Sequence, residues 1–290
     1  MSVTAARAAG VVGSGDGSVR VGLLTADAAH PLLAGTAALL EAAGHRVETL
    51  SPTAEPPAEP AQVYLLKART PSAIALARTL ERRGIPVVNT AAATEFCQDR
   101  VWMARRAEHA GLPFAATTAW PDIGALRSWL GPVTGPLPRA LVVKSHRSRR
   151  DDLVTRVTEG AELAALQELW PNEPVITQEW MPGTGWDHKL WVVAGRVFAA
   201  LRRSEFASGT TLPDQPLPGP HPWSELALRV GAVFGLEVYG VDLLEVDGQP
   251  VIIDVNAFPG MRGQDGAAEA LAAHALTSAQ CPREAIAARR

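Results

Sequence analysis

Asp254 and Asn256 stand two residues apart in VIIDVNAF, a run that is apolar except at those two positions. On a β-strand they share one face. Asp242 lies in the preceding apolar run, GVDLL, across a turn containing Asp247 and Gly248. Two carboxylates and an amide oxygen are hard ligands of the kind that hold Mg²⁺ (or Mn²⁺) against nucleotide phosphates. A carboxylate on so apolar a strand is costly without a cation beside it. Register decides whether the three converge. A two-residue loop at 247–248 would set Asp242 opposite Ile253 and turn Asp254 to the other face. A three-residue loop at 246–248, with Gly248 left-handed in a bulge, would put both aspartates on one face. The second arrangement is expected.

Other residues could serve the same chemistry. In QEWMPGTGWDHKLWVVAG, residues 178–195, a strand ending at Glu179, Trp180 and Met181 breaks at Pro182-Gly183. Backbone groups at such an end can read an adenine edge while Trp180 and Met181 supply apolar surface. Beyond the turn, Asp187 and Lys189 share a strand face, an acceptor for ribose hydroxyls beside a cation for phosphates. Lys144 ends the apolar strand ALVVK, where it can meet a phosphate as a point charge. Arg202 and Arg203 end RVFAALRR in a similar way, and Arg100 opens a helix, where a basic residue opposes the helix dipole unless an anion is near. The loop 146–152, HRSRRDD, is either a solvated charge run or a cover for phosphates or an acidic substrate. There is no persuasive Ser/His/Asp or Cys/His set for a protein nucleophile.

These residues need a scaffold, and the chain is long enough for one. Its 290 residues are 47% apolar and 20% charged, an ordinary globular mixture with room for two or three lobes. A net charge of -3 argues against nucleic-acid binding by bulk positive charge. Two cysteines, Cys97 and Cys281, build no disulfide framework and have no zinc spacing. The N-terminal segment has no signal-peptide core and no run is long enough to span a bilayer, so a cytoplasmic protein is expected. Residues 1–18 and 279–290 read as tails. Gly13, Gly15 and Gly17 precede the first credible strand and so do not form a dinucleotide loop.

From residue 19 to 97, strands near 19–24, 46–50, 62–67 and 86–88 alternate with helices near 31–43 and 72–83. This predicts a parallel α/β domain. A central lobe is expected over 98–172, with helices at 98–111, 122–130 and 160–169 and strands at 140–144 and 153–157. A C-terminal lobe is expected over 173–278. It combines strands at 175–180, 186–193, 196–202 and a hairpin at 238–255 with helices at 222–234 and 264–277, an α+β arrangement.

In this order the segments resemble the ATP-grasp superfamily over about residues 62–266. ALVVK resembles its phosphate-lysine strand, QEWM its adenine hinge, GWDHKLWVVAG the RimK-type GxDxRxxVVG segment, and GVDLL with IIDVNAFPG its magnesium segment. The resemblance implies two lobes clasping ATP, with Arg100, Lys144, Glu179, Trp180, Met181, Asp187 and Lys189 at the nucleotide and Asp242, Asp254 and Asn256 at Mg²⁺. RimK-type ligases usually carry Asp-Lys where this chain has Asp99-Arg100, and Glu where it has Asp254. The spelling around Asp254 is also similar to that of ATP-grasp inositol polyphosphate kinases, and loop 146–152 is basic where the family's phosphate loop is commonly Gly-rich.

The resemblance implies phosphoryl transfer from Mg-ATP, with Lys189 offsetting charge and Arg203 facing the γ-phosphate or the acceptor's anion. A carboxylate–amine ligase acting through an acyl phosphate is expected. A kinase acting on a hydroxyl and a non-catalytic ATP-binding module are the alternatives. The acceptor is a small molecule or peptide, anionic if the arginines serve it, and a homodimer is the default on symmetry grounds. Acceptor recognition is expected on the first domain, the basic loop and residues 204–220.

Overall fold

A computed structural model describes residues 17–207 and 212–280. The expected tails fall almost entirely outside them, as does part of the 204–220 connection.

The first domain runs β1 (Arg20–Leu24), α1 (Pro31–Ala42), β2 (Arg46–Leu50), β3 (Val63–Leu66), α2 (Pro71–Arg82) and β4 (Val87–Val88). Its sheet is parallel, in the order β2-β1-β3-β4, as the alternation of elements predicts. The helix starts are local chemistry. Proline opens α1 and α2, with His30 and Thr70 accepting backbone N–H groups as caps, which satisfies donors a helix start leaves unpaired. A short helix α3 (Ala91–Phe96), capped by Thr90, closes the domain.

The central lobe holds β5 (Thr117–Trp120), α5 (Ile123–Leu130), β6 (Pro136–Ser145), β7 (Val154–Glu159), α6 (Gly160–Leu169) and β8 (Val175–Glu179). They form an antiparallel sheet in the order β5-β8-β6-β7, with α5 and α6 sharing its core. The expected boundary at 172 is therefore too early. Pro171 follows α6, but the chain turns back into the same sheet, pairing Val175 with Ser145 and Glu179 with Leu141. Strand partnership is non-local, and nothing in VITQE says which sheet it joins. The helix expected to begin this lobe, α4 (Arg100–His109), instead packs Met103 and Ala107 into the core of the C-terminal lobe.

That lobe is built from β9 (Trp186–Val193), β10 (Arg196–Arg203), β11 (Gln215–Pro216), α7 (Ser224–Phe234), β12 (Val238–Val246), β13 (Gln249–Ala257) and α8 (Ala267–Gln280). The sheet order is β11-β10-β9-β12-β13, all antiparallel. Leu190, Val192, Tyr239 and Val241 pack toward α4 and α7. Trp191 and Val193 point the other way, into a core shared with the first domain and α8. Along β9 that second face continues to Lys189 and Asp187, which reach a cleft. Among the described residues no helix is long and apolar enough to cross a membrane.

Asn89 joins the two bodies. It is fully buried; its Nδ2 donates to the Val238 carbonyl (2.6 Å), and its Oδ1 accepts from the N–H groups of Glu237 (2.8 Å) and Val238 (2.9 Å). The start of β12 is thus pinned to the first domain. Removing the amide would strand buried backbone groups, each costing about 1–3 kcal/mol. We expect Asn89→Ala to lower unfolding free energy by roughly 2 kcal/mol or more, read as a lower denaturant midpoint.

Candidate active site in the cleft between the lobes

The β12–β13 hairpin reaches the expected convergence by a different route. Val246 pairs with Gln249, so the loop has two residues, and Asp247 (φ 50°) and Gly248 (φ 76°) both take left-handed conformations. Such a turn needs positive φ at both positions, and Asp-Gly supplies it. The three-residue loop is therefore incorrect. The extra residue lies deeper in the strand: Leu243 pairs with Ile252 and Asp242 with Asp254, leaving Ile253 without a cross-strand partner. In this bulge two consecutive side chains, Ile253 and Asp254, line the cleft, while Ile252 and Val255 stay in the opposite core. The Ile253 carbonyl accepts a hydrogen bond from Lys144 Nζ (3.0 Å).

Three strands then present a row in which one cation is followed by two carboxylates. Lys189 pairs in register with Asp242, and Asp242 with Asp254. Lys189 Nζ lies 2.8 Å from Asp242 Oδ2 and 3.7 Å from Asp187 Oδ2. Burial alone would lower the Lys189 pKa, but Asp242 and Asp187 outweigh it and hold the ammonium above its usual value. The Asp187 carboxyl is raised as well, by burial and by Asp242 despite Lys189. Lys144 is buried at the end of β6, and burial lowers its pKa against the pull of Asp254. Asn256 sits opposite Gly240, with its Nδ2 3.5 Å from Asp254 Oδ2. A Cβ on Gly240 would come within 3.1 Å of Trp191 and 3.2 Å of Pro259, so glycine keeps this part of the face open. His188, between Asp187 and Lys189, is hydrogen-bonded behind the sheet to His221 (3.1 Å).

Arg100 answers the question its position raises. Its anionic neighbours are Asp152 (2.6 Å) and Asp254 (4.0 Å), and its Nη1 also donates to the Ser145 carbonyl (2.9 Å). The basic loop is tied down: His146 Nε2 and Arg147 reach Asp99, and Arg149 forks onto Glu173 (2.7 and 2.9 Å). Ser148, Arg149, Asp151 and Asp152 still line the cleft.

At the hinge, the Trp180 N–H donates to the Ala140 carbonyl (2.8 Å). The Arg156 guanidinium lies 4.5 Å from the centre of the Trp180 ring and Phe206 meets the ring edge-on. Glu179 is exposed and bound by Arg139 (2.8 and 2.7 Å). Of the two arginines ending β10, Arg202 stands across from Asp187 and is held by Asp214 (2.8 and 2.7 Å). Arg203 stands across from Trp186, its guanidinium 5.7 Å from that ring. Both line the cleft, as do Met181 and all the expected nucleotide and metal residues.

The cleft has a volume of about 1480 Å³. Several of its residues carry no local signal in sequence: Val142, Leu244 and Ile253 as apolar surface, Asp152 as a partner of Arg100, and His30, Lys67, Arg69 and Arg262 at the first-domain end. Only the alternation of ALVVK hints at Val142.

A family model described as a RimK-like ATP-grasp domain matches residues 136–278. The chain carries a RimK-like ATP-grasp domain. It is 28% identical over 220 residues to beta-citrylglutamate synthase B of Danio rerio, covering 71% of this chain and 54% of that protein. It is 30% identical over 142 residues to a probable alpha-L-glutamate ligase of Xanthomonas campestris pv. campestris, covering 46% and 48%. The chain spans about half the length of these curated relatives. A RimK domain ATP-grasp protein of Sphaerobacter thermophilus superposes with a TM-score of 0.68 at 24% identity, covering 89% of this chain and all but 1% of that one, which shows the ATP-grasp fold.

The residues present suit the ligands this domain implies. Among the described residues, Asp187 Oδ1 and Arg100 Nε are buried in the cleft without a hydrogen-bond partner, one an acceptor and one a donor. Buried polar atoms seldom go unpaired, and ligand sites are where the exceptions gather. No group of three or more His, Cys, Asp or Glu side chains with metal-holding geometry occurs among the described residues. Two carboxylates and an amide oxygen leave positions for phosphate oxygens and water, which is how Mg²⁺ is commonly held beside a nucleotide.

Lys189 is the counter-ion of the buried Asp187 and the partly buried Asp242. Truncating it to Met should cost about 3 kcal/mol, the penalty of leaving buried charge unpaired. Asp187 has a raised pKa in the folded state, and such a group favours the folded state more as pH falls. The deficit of Lys189→Met relative to wild type should therefore shrink from neutrality to about pH 5, measured by denaturant titrations across that range.

Proposed function

We propose that the chain is an ATP-dependent carboxylate–amine ligase. The observation that carries this reading is the row Lys189–Asp242–Asp254, with Asn256 and Lys144 beside it, lining a cleft between two lobes. Relatives named as a glutamate ligase and a citrylglutamate synthase support the ligase over a kinase.

In this reading Asp242, Asp254 and Asn256 hold Mg²⁺, which supplies charge neutralisation at the β- and γ-phosphates. Lys144 and Lys189 add positive charge on the nucleotide side. Trp180 and Met181, with Val142, Leu244 and Ile253, enclose the base, while the free oxygen of Asp187 accepts from a ribose hydroxyl. Arg202, on the face of Asp187 and buttressed by Asp214, takes the anion-facing role that sequence reasoning gave to Arg203, which stands beside it. An acceptor carboxylate oxygen attacks the γ-phosphorus in line, the bond to the bridging oxygen breaks, and ADP leaves. The amine nitrogen then attacks the acyl carbon, the C–O bond to phosphate breaks, and the products are an amide, inorganic phosphate and the proton lost from nitrogen. No protein nucleophile is required; catalysis lies in positioning and charge.

The test is incubation with Mg-ATP, a pool of carboxylic acids and hydroxylamine as trapping amine. We expect ADP release matched by hydroxamates in the mass spectrum. Phosphate esters formed from added polyols would move the assignment to a kinase. Asp254→Asn should reduce turnover by about a hundredfold or more while leaving the unfolding transition in place; wild-type rates in that variant would overturn the metal assignment.

A further inference from the structure

The first-domain end of the cleft carries four basic side chains that the nucleotide and metal roles leave unused. Lys67 and Arg69 follow β3, His30 precedes α1, and Arg262 stands in the loop after β13; all four line the cleft. Lys67 and His30 meet the segment Phe258–Gly260, just beyond Asn256, and Arg69 and Arg262 lie within electrostatic reach of Lys67. Lys67 Nζ donates to the Phe258 carbonyl at 3.0 Å and lies 5.6 Å from the centre of that ring. His30 Nδ1 accepts the Leu32 N–H (3.3 Å), so a neutral ring carries its proton on Nε2. That Nε2 edge abuts Gly260, where a Cβ would lie 3.2 Å from it.

The charge on this wall is one-sided. Lys67 is drawn down to about 8 by burial, then by Arg69, with Arg262 adding to the effect. Asp27, exposed on the same loop as His30, is the carboxylate that opposes them. Asp214, already held by Arg202, also lies within electrostatic reach of Arg262, so three permanent or near-permanent cations face two acids, one of them paired elsewhere, across a partly buried surface. Crowding like charges away from bulk water is unfavourable unless an anion sits among them. ATP phosphates have their own cations in Lys144, Lys189 and Arg100, on the other side of the metal ligands. The reacting carboxylate of the acceptor gives up its charge when it is phosphorylated, so it does not account for a surplus here.

We propose that His30, Lys67, Arg69 and Arg262 form a subsite for the non-reacting carboxylates of the acceptor, which therefore carries at least two acidic groups. Arginine forks suit carboxylates in pairs, and Lys67 and His30 add single donors near the reacting end. This rests on the ligase reading, in which an acceptor acid lies next to the γ-phosphate.

The experiment compares matched acids: glutarate with butyrate, glutamate with glutamine, and a dipeptide ending in glutamate with one ending in glutamine. Each is assayed for ADP release with Mg-ATP and hydroxylamine, and for calorimetric binding in the presence of a non-hydrolysable ATP analogue. We expect each diacid to be preferred by about tenfold or more in kcat/KM or affinity, and the free-acid and dipeptide pairs to separate a small acid from an acidic chain end. Arg69→Gln and Arg262→Gln, at positions not packed into the core, should each raise the diacid KM or Kd about tenfold with the KM for ATP little changed. Diacid binding that weakens in the variants, with no turnover on any acid, would keep the subsite and sink the ligase reading. Turnover of monoacids as efficient as that of diacids would overturn the subsite and leave the ligase standing. Equal losses for ATP and acceptor in the variants would also overturn it, placing the cluster at the nucleotide.

Discussion

Ile253 has no partner across its hairpin, and that displacement by one residue does two things at once. It brings Asp254 onto the face of Asp242 and Lys189, and it frees a carbonyl that Lys144 occupies. With a two-residue turn and no bulge, the ladder would carry Asp254 toward the core that holds Val230 and Phe234. An ionised carboxylate there would be heavily penalised, so the two-residue turn and a cleft-facing Asp254 are compatible only because the strand is irregular between them. The outer edge of β13 is occupied at the same point. The Ile252 N–H donates to the Pro113 carbonyl (2.7 Å), and its carbonyl accepts from Ala115 N–H (2.8 Å). The chain entering the central lobe therefore docks one residue from the bulge, and Lys144 of that lobe reaches the bulge itself.

The site's electrostatics follow from this geometry. Lys189 lies between Asp187 and Asp242, and Arg100 lies between Asp152 and Asp254, so each of these buried or partly buried acids has a cation within reach. Such pairing offsets desolvation without adding much net stability. Its benefit is orientation: the side chains are already held where phosphates and a metal would meet them, and little reorganisation is left for the moment of reaction. Arg100 at the start of α4 fits the same logic. A basic residue opposing the helix dipole is tolerated because two carboxylates and the Ser145 carbonyl surround it.

What could be read in the sequence was local. Pro71 with Thr70 and the polar spacing in VIIDVNAF each act within a few residues, and the elements they imply are present; the Asp247-Gly248 turn is equally local, yet the expected three-residue loop there is a two-residue one. What could not be read was relational. VITQE is a strand on any reading, yet its place beside β6 depends on Leu141 and Ser145, far away in the chain. The bulge at 253 is met by Lys144 and flanked by the 113–115 segment, and neither is visible from the hairpin. That Arg202 stands across from Asp187 and Arg203 across from Trp186 is likewise a register that an RR dipeptide does not reveal. The basic wall was hidden for the same reason: Lys67 and Arg69 end an ordinary strand, and only the packing of one domain on another sets them beside His30 and Arg262.

The two charged halves of the cleft constrain each other. Asn256 ends the acidic row that suits a divalent cation, and Phe258–Gly260, directly after it, supports the basic wall. A bound cation and this wall repel across a short distance unless anions lie between them, and the anions available are ATP phosphates and the acceptor's acidic groups. Each anion that enters lowers the cost of the cations on its other side, so binding of nucleotide and of acceptor should be favourably coupled, and equally so in both directions. A neutral acceptor would leave the wall unmatched and supply no such coupling. In the proposed reading, selection for an acidic acceptor and affinity for the metal-nucleotide pair would be one electrostatic property, divided between the last residues of β13 and the first domain.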